Sequence, residues 1–360
     1  MDLKISDLSE RNNLLAAISK VLEHGIFIQG EEHNAFEKAA ASYCNRRYCI
    51  AVNSGTDALF LALRALGIGK GDEVITTALS WIATANAIHL TGAKPIFADI
   101  TKDLNIDPAS VLKLINDKTR AILPVHYGGR ICDMNALCKI AKEYNIHLVE
   151  DASQAFGAKY DGRISCSFGE VACVSLNPMK TLAACGEAGI ILTDRHDLKE
   201  KLEMLRYNGM INREICEVPS LNGRMDTIQA AILLHRIKHF EEIITRRREI
   251  AHIYNTRLSD LVITPTESAS EYNVYYNYII CTPSRDKLLK YLLEKGVEAK
   301  VRDSLLMPSQ PAYKSSSFNK LPTANSLIGQ LISLPANEKL SNQDIYYVCD
   351  IISKFFNNNI

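Results

Sequence analysis

The sequence predicts an α/β fold in which helices cover a mostly parallel sheet of seven strands. The main observation is that, up to about residue 206, short apolar runs alternate regularly with stretches of helical periodicity. Such alternation is typical of parallel sheets whose strands are joined by helices. The seven apolar runs lie at 48–52, 73–76, 95–98, 120–124, 146–150, 171–175 and 189–193.

A second, smaller domain is predicted to follow this sheet. Helical periodicity without a proline extends over 225–258, and the chain then forms an aromatic strand at 274–280, a helix at 285–295 and two later helices. Because strands here precede helices, an α+β arrangement is favoured. We therefore expect a large domain with an N-terminal arm at residues 1–245 and a small α+β domain at residues 246–360.

The first strand leads into a turn that can bind an anion. The turn has the sequence N-S-G-T-D at 53–57, and an amphipathic helix follows it. A glycine-containing turn before a helix exposes backbone N–H groups, and the helix dipole adds partial positive charge. Gly55 and Thr56 are therefore candidate phosphate contacts. The alternative is a plain helix N-cap, for which serine and threonine are also suited.

The one tryptophan, Trp81, lies where the strand at 73–76 passes into the next helix. Packing in the core is the usual role of a tryptophan side chain. Its position at a strand-to-helix junction makes stacking on a flat heterocycle a comparable alternative.

Asp151 follows the apolar strand at 146–150. Functional groups of open α/β sheets gather at the carboxyl ends of the strands. A carboxylate in this position can keep a pyridine nitrogen protonated, although Asp151 can also cap the turn that begins there. We favour the functional role because a candidate lysine follows on the next strands.

That lysine is Lys180, which lies on a polar segment between the apolar runs at 171–174 and 190–193. A lysine in a partly desolvated site loses proton affinity, and its neutral amine can form a Schiff base with an aldehyde. The aldehyde that most often meets such an amine is pyridoxal phosphate (PLP). The alternative is that Lys180 reaches into solvent, as most lysines after strands do.

Further motifs extend this pattern over most of the chain. In order they are N-S-G-T-D-A-L at 53–59, G-K-G-D-E-V-I at 69–75, P-V-H-Y-G-G at 124–129, E-D-A-S-Q-A-F-G-A at 150–158, S-F-G at 167–169 and N-G-R-M-D-T-I-Q-A-A at 222–231. Together they resemble the DegT/DnrJ/EryC1/StrS family of PLP-dependent sugar aminotransferases. The resemblance implies the PLP-dependent transferase fold type I.

The resemblance also implies roles for single residues. Lys180 would bind PLP covalently and shuttle the proton, Asp151 would pair with the pyridine nitrogen, and Gln154 would hydrogen-bond the ring hydroxyl. The other implied cofactor contacts are stacking by Trp81 and phosphate binding by Gly55, Thr56, Ser175 and, across a homodimer interface, Asn222. A single subunit would then be inactive.

Three residues are candidate substrate contacts. His126 and Tyr127 follow the strand at 120–124 and can touch substrate, but they are equally well interpreted as a hydrogen-bonded core pair. Tyr313 ends a Q-P-A-Y element at 310–313 that is similar to one in the family.

We therefore predict an aminotransferase that moves the amino group of glutamate to a nucleotide-linked 3- or 4-keto-6-deoxyhexose, for polysaccharide or glycan biosynthesis. Both substrates are implied by the resemblance. One alternative is an aminotransferase whose acceptor is a cyclitol ketone or a small phosphorylated ketone. Another is a sugar dehydratase relative that uses pyridoxamine phosphate, against which the presence of Lys180 argues. A third is a non-catalytic regulator on the same fold.

Composition excludes several other classes. Lys plus Arg and Asp plus Glu both number 41, which argues against a nucleic-acid-binding surface. The first six residues lack the apolar core of a signal peptide, and no apolar run is long enough to span a membrane. The ten cysteines are scattered without a C-x-x-C pair, and His235 and His239 lack a third ligand, so we expect no metal site. A reduced cytoplasmic enzyme is expected.

Overall fold

The structure, a computed structural model, describes residues 3–314 and 320–357. The strands in these ranges are β1 Tyr48–Val52, β2 Glu73–Thr77, β3 Lys94–Ala98, β4 Thr119–Leu123, β5 His147–Asp151, β6 Lys159–Tyr160, β7 Arg163–Ile164, β8 Val171–Ser175, β9 Gly189–Thr193, β10 Glu271–Tyr272, β11 Tyr278–Cys281 and β12 Leu331–Leu334. The α-helices are α1 Leu8–His24, α2 Glu31–Tyr43, α3 Gly55–Ala65, α4 Ala83–Leu90, α5 Pro108–Leu114, α6 Met134–Glu143, α7 His196–Leu205, α8 Thr227–Arg236, α9 Phe240–Leu258, α10 Arg285–Glu294, α11 Pro322–Leu327 and α12 Asn342–Asn357.

The main sheet has seven strands in the order β1-β9-β8-β5-β4-β2-β3. Strand β9 pairs antiparallel with both β1 and β8, and the remaining neighbours pair parallel. The predicted α/β fold with a mostly parallel seven-stranded sheet is therefore confirmed. Each predicted strand agrees with the observed one to within one residue at either end.

Both faces of this sheet are buried, which explains why its strands are apolar along their whole length. Successive residues point to opposite faces. Val74 and Ala121 accordingly belong to one core cluster, with helices α3 and α7, whereas Ile75 and Ile122 belong to a second cluster on the other face. All four of these residues are fully buried.

The C-terminal part of the chain has a core of its own. Strands β11 and β12 pair antiparallel, and α9, α10 and α12 pack around them. The fully buried residues of this cluster include Tyr254, Tyr278, Leu288 and Ile352. The division between 1–245 and 246–360 remains a prediction.

Two predicted elements differ from the structure. The predicted helix over 225–258 is two helices, α8 and α9, because a 3-10 turn at Ile237–His239 separates them and His239 leaves the helical conformation (φ −109°, ψ 11°). The predicted strand over 274–280 is shortened to β11. Tyr275 has a positive φ of 47°, which a strand does not tolerate.

The residues before β11 instead form backbone hydrogen bonds with the turn at Gly128 and Gly129, which follows β4. The N–H groups of Val274 and Asn277 donate to the carbonyls of Gly129 and Gly128. A Cβ at Gly129, which has a φ of +111°, would meet the backbone of Tyr275 at 2.7 Å. This close approach brings Tyr276, the next residue, to the cavity described below.

Candidate active site

A cavity of about 1190 Å³ lies at the carboxyl ends of strands β5 and β8. It is above the usual size of a small-molecule pocket, roughly 300–1,000 Å³. Seven of the predicted cofactor contacts line it, and they are Gly55, Thr56, Trp81, Asp151, Gln154, Ser175 and Lys180. The fold thus brings together residues from four separate segments of the chain.

The first wall of the cavity is the N-terminus of helix α3. Ser54 caps the helix, since its side-chain oxygen accepts a hydrogen bond from Asp57 N at 3.0 Å. Gly55 is the first helical residue, and a Cβ at this position would overlap the Ser175 side chain. Free backbone N–H groups and a helix dipole therefore meet the Ser175 hydroxyl at one point, which is the donor set that a phosphate requires.

Asp151 occupies the floor of the cavity at the end of β5. Its side chain is held by two hydrogen bonds, from Thr84 Oγ1 to Oδ2 at 3.1 Å and from Ser153 N to Oδ1 at 3.2 Å. The residue is only 4% exposed. A fixed, buried carboxylate of this kind can accept a hydrogen bond from a protonated ring nitrogen.

Lys180 approaches from the loop that follows β8. A tight turn fixes this loop, because Lys180 N donates to Asn177 O at 2.9 Å and Met179 N donates to Asn177 Oδ1 at 3.0 Å. The Lys180 side chain is half-buried, and its Nζ lies 4.8 Å from the centroid of the Tyr276 ring. The pairing of Asp151 with Cys173 across β5 and β8 sets the lysine loop next to the aspartate.

Trp81 and Gln154 complete the set. Trp81 is 67% exposed, so packing in the core of this subunit is not its role, and its ring is open to a ligand in the cavity. Gln154 is buried, and its Oε1 accepts a hydrogen bond from Gly128 N at 3.0 Å. That bond uses the amide oxygen, and the amide NH2 group is the part that can donate to a ligand.

The DegT/DnrJ/EryC1/StrS aminotransferase family profile matches residues 8–353. The chain belongs to this family. It is 36% identical to the UDP-2-acetamido-2-deoxy-3-oxo-D-glucuronate aminotransferase of Pseudomonas aeruginosa over 97% of this chain and 98% of that protein. It is also 36% identical, over 99% of both chains, to a protein of Geobacillus stearothermophilus named pleiotropic regulatory protein.

Solved structures agree. The crystal structure of DesV from S. venezuelae in complex with a ketimine intermediate matches with a TM-score of 0.95 and 36% identity, covering 98% of this chain and 97% of that one. NtdA from Bacillus subtilis, solved with bound cofactor PMP, matches with a TM-score of 0.89 and 31% identity, covering 96% of this chain and 83% of that one. The protein is a sugar aminotransferase of the DegT/DnrJ/EryC1/StrS family, and its cofactor is PLP.

The residues of the cavity fit this cofactor. The helix N-terminus at Gly55 offers a phosphate cradle that a side chain would fill, Asp151 offers a buried carboxylate, and Lys180 offers an amine. The roles of the individual residues remain predictions.

In this family member, His126 does not line the cavity. It is fully buried, its Nε2 lies 3.2 Å from Glu150 Oε2, and its Nδ1 accepts a hydrogen bond from Cys132 N at 3.2 Å. Of the two interpretations of His126, the structure therefore favours a hydrogen-bonded position in the core over a substrate contact. The partner of His126 is Glu150 and not Tyr127. The carboxylate of Glu150 also accepts hydrogen bonds from the N–H groups of Cys166, Phe168 and Gly169.

The Glu150 carboxylate is charged despite its burial. Burial by itself raises the pKa of this carboxyl, but the hydrogen bond of His126, the Gly169 N–H and the charge of Arg46 together hold the pKa below its ordinary value. Glu150 thus ties β5 to the loop before β8, one residue away from Asp151. The sequence pattern by itself does not indicate this role of Glu150.

Tyr127 and Tyr313 also lie outside the cavity lining of this subunit. The Tyr127 hydroxyl donates to Asp303 Oδ2 at 2.5 Å, and burial, followed by the charge of Asp303, raises the pKa of Tyr127 well above its ordinary value. Tyr313 is buried, and its hydroxyl donates to Asn86 Oδ1 at 2.6 Å. Direct substrate contact by either side chain is not supported within one subunit, although Tyr127 positions Asp303, which does line the cavity.

Asn222 is exposed and is absent from the cavity of its own subunit. Its Oδ1 accepts a hydrogen bond from Arg224 Nε at 2.9 Å, and the segment pairs with Tyr207 through an isolated bridge. Its predicted contact with the phosphate of a second subunit remains a prediction.

Sequence reasoning missed three residues that shape the site, namely Thr84, Tyr276 and Arg302. Thr84 holds Asp151, whereas Tyr276 and Arg302 line the C-terminal wall. The aromatic run at 274–280 was a visible signal for Tyr276, but its strand-like pattern pointed to a sheet. No helix in the described ranges is long and apolar enough to cross a membrane, and no cluster of three metal-binding side chains is found in them.

Proposed function

We propose that this protein transfers the amino group of glutamate to a nucleotide-linked keto-deoxysugar, a 3- or 4-keto-6-deoxyhexose, for polysaccharide or glycan biosynthesis. The observation that carries the proposal is the convergence of Lys180, Asp151 and the N-terminus of α3 on a single cavity. Bound PLP supplies the electron sink that stabilises negative charge at the amino-acid Cα.

Each residue has a separate task in this proposal. Asp151 would accept a hydrogen bond from the protonated pyridine nitrogen, and the hydrogen bond from Thr84 keeps that carboxylate in place. Lys180 Nζ would take the proton from the amino-acid Cα in the donor half of the cycle, and it would deliver a proton to the acceptor carbon in the second half. Trp81 stacks on the ring, and Gly55, Thr56 and Ser175 bind the phosphate.

The size of the cavity supports an acceptor larger than a simple keto acid. At about 1190 Å³ it exceeds what a small amino donor fills. The family relatives point the same way, because the Pseudomonas aeruginosa protein is named for a UDP-linked keto sugar acid. A cyclitol ketone or a small phosphorylated ketone remains the alternative acceptor.

The proposal includes a homodimer in which Asn222 reaches the site of the second subunit. Exposed apolar side chains lie on two segments whose backbones pair with the chain around Asn222, which supports a protein interface there. Ile26 and Phe27 are 50% and 47% exposed, and their segment is hydrogen-bonded to Thr227. Ile211 and Ile215, at 60% and 53%, lie on the neighbouring loop.

The decisive experiment loads the purified protein with PLP and glutamate and offers it a panel of nucleotide-linked keto sugars. The expected result is an aminated sugar, identified by mass spectrometry and NMR, together with 2-oxoglutarate. Amination of a cyclitol ketone, with no reaction of any nucleotide sugar, would establish the alternative.

A further inference from the structure

Arg302 is a cation at the cavity wall that forms no ion pair with any carboxylate of the described residues. Its guanidinium is half-buried and lines the cavity. Its Nη2 donates to the Tyr276 hydroxyl at 3.0 Å. Within residues 3–314 and 320–357, no carboxylate lies within ion-pair distance of this guanidinium. A planar cation held in this way is suited to an oxyanion from a ligand.

Two neighbouring cations of the same wall are paired with carboxylates. Arg247 lies 2.8 Å from Glu338 and also donates to backbone carbonyls. Lys300 lies 2.6 Å from Glu298.

Asp303, the acidic residue next to Arg302 in sequence, forms its hydrogen bond with another part of the chain. Asp303 accepts the hydrogen bond of Tyr127 at 2.5 Å and is thereby tied to the large sheet. Arg302 lines the cavity without an ion pair to this neighbouring carboxylate.

Arg302 and Lys180 approach the same aromatic ring. Lys180 Nζ lies 4.8 Å from the Tyr276 ring centroid, and Arg302 Cζ lies 5.3 Å from it. The Lys180 amine and the Arg302 guanidinium are thus no more than about 10 Å apart. An amino acid bound with its Cα at Lys180 has its side-chain carboxylate within that span.

We propose that Arg302 binds the side-chain carboxylate of a dicarboxylic amino donor and so selects glutamate over neutral amino acids. This inference rests on the proposed function and specifies the donor subsite. The phosphates of a nucleotide sugar match the separation between Lys180 and Arg302 less well. The whole sugar ring lies between these phosphates and the keto carbon that would react at Lys180. Tyr276 is a positioning residue here, since it orients the guanidinium through its hydroxyl.

The test compares native protein, Arg302→Gln and Arg302→Lys in the PLP-bound form. Binding of glutarate, a dicarboxylate without an amino group, is measured by calorimetry, with butyrate as the monocarboxylate reference. The donor half-reaction is followed by the visible spectrum with glutamate and with glutamine. Lys300→Gln is the matched control, since it removes a cavity cation that is already paired with Glu298.

We expect Arg302→Gln to weaken glutarate binding and to lower the glutamate half-reaction by roughly 10- to 100-fold, the usual effect of losing a charged hydrogen-bond partner. In Arg302→Gln, butyrate binding and the rate of the glutamine half-reaction should change by less than about threefold. Arg302→Lys keeps the positive charge and should retain part of the affinity for glutarate. Lys300→Gln should stay within about twofold of native protein in all of these measurements.

Three outcomes would overturn the inference. They are an equal loss with glutamate and glutamine, a loss confined to the sugar half-reaction, and the absence of glutarate binding by native protein. The proposed sugar acceptor is tested separately. A protein that binds glutarate through Arg302 but aminates none of the keto sugars would refute the acceptor and leave the donor subsite intact.

Discussion

Gly55 lies so close to Ser175 that a methyl group added to Gly55 would overlap the Ser175 Cβ. The two residues belong to different elements, since Gly55 begins α3 and Ser175 ends β8. Their contact joins the helix N-terminus to the strand that leads to Lys180. The proposed phosphate cradle and the lysine loop are therefore built as one unit.

The first prediction follows from this contact. Gly55→Ala should lower the affinity for PLP by at least about tenfold and destabilise the fold by about 1–3 kcal/mol, because overpacking moves α3 away from Ser175. Fluorescence titration with PLP and thermal unfolding measure the two effects. Gly329→Ala is the control, since nothing lies within 4 Å of a Cβ at Gly329. Unchanged PLP affinity in Gly55→Ala would contradict the proposed cradle.

The second prediction concerns Lys180. Lys180→Ala should lose covalent attachment of PLP and reduce the rate of amino transfer by several orders of magnitude, because nucleophile and proton carrier are removed together. Borohydride reduction followed by mass spectrometry detects the attachment. Lys70 is exposed and does not line the cavity, so Lys70→Ala should behave like native protein. Persistent PLP labelling of Lys180→Ala would show that another lysine carries the cofactor.

The third prediction compares Asp151 with the threonine that holds it. Asp151→Asn should slow the donor half-reaction by about 10²-fold or more, because a neutral amide does not keep the ring nitrogen protonated. Thr84→Val should have a smaller effect, about three- to tenfold, because it removes one hydrogen bond to Oδ2 and keeps the charge. Stopped-flow absorbance with glutamate measures both rates. Equal rates in native protein and Asp151→Asn would exclude the proposed role.

The fourth prediction is a pH dependence that arises from Glu150. Its pKa is lowered in the folded protein, so the unfolded chain binds the proton more tightly. The stabilisation by Glu150 is therefore complete above the ordinary glutamate value of 4.5 and is lost as the pH falls below it towards the lowered pKa. Glu150→Gln should lower the free energy of unfolding by about 1–3 kcal/mol at pH 7.

Urea unfolding at pH 7, 5 and 4 checks this expectation. The difference between native protein and Glu150→Gln should shrink at the lowest pH, because the Glu150 carboxyl of the unfolded chain is then largely protonated. A difference that grows on acidification would reverse the assigned sign. Glu143→Gln, a substitution on the exposed end of α6, serves as the reference.

The fifth prediction tests whether two subunits share the site. Lys180→Ala and Asn222→Ala should each be strongly impaired alone. After mixing under conditions of subunit exchange, activity should rise to about a quarter of native, because one site of each mixed dimer then has Lys180 and Asn222 intact. Size-exclusion chromatography with light scattering checks the oligomeric state. Two impaired variants that stay inactive after proven exchange would argue against a shared site.

The features that the sequence predicted are those that depend on local pattern. The seven strands follow from apolar runs that are buried on both faces of the sheet, and Asp151 and Lys180 follow from polar residues placed where such runs end. The turn at Gly55 was recognisable because a helix start has its own local signature. The DegT/DnrJ/EryC1/StrS resemblance added residue roles that these patterns do not contain.

The C-terminal wall of the site was decided by tertiary structure alone. Tyr276 reaches the cavity because the Gly128–Gly129 turn hydrogen-bonds the residues around it and breaks the strand that the aromatic pattern predicted. Arg302 lines the cavity without an ion pair to any described carboxylate, and the neighbouring Asp303 accepts a hydrogen bond from Tyr127, which is far away in sequence. Such contacts join distant segments, and their free energy depends on packing and charge partners that exist only once the chain has folded.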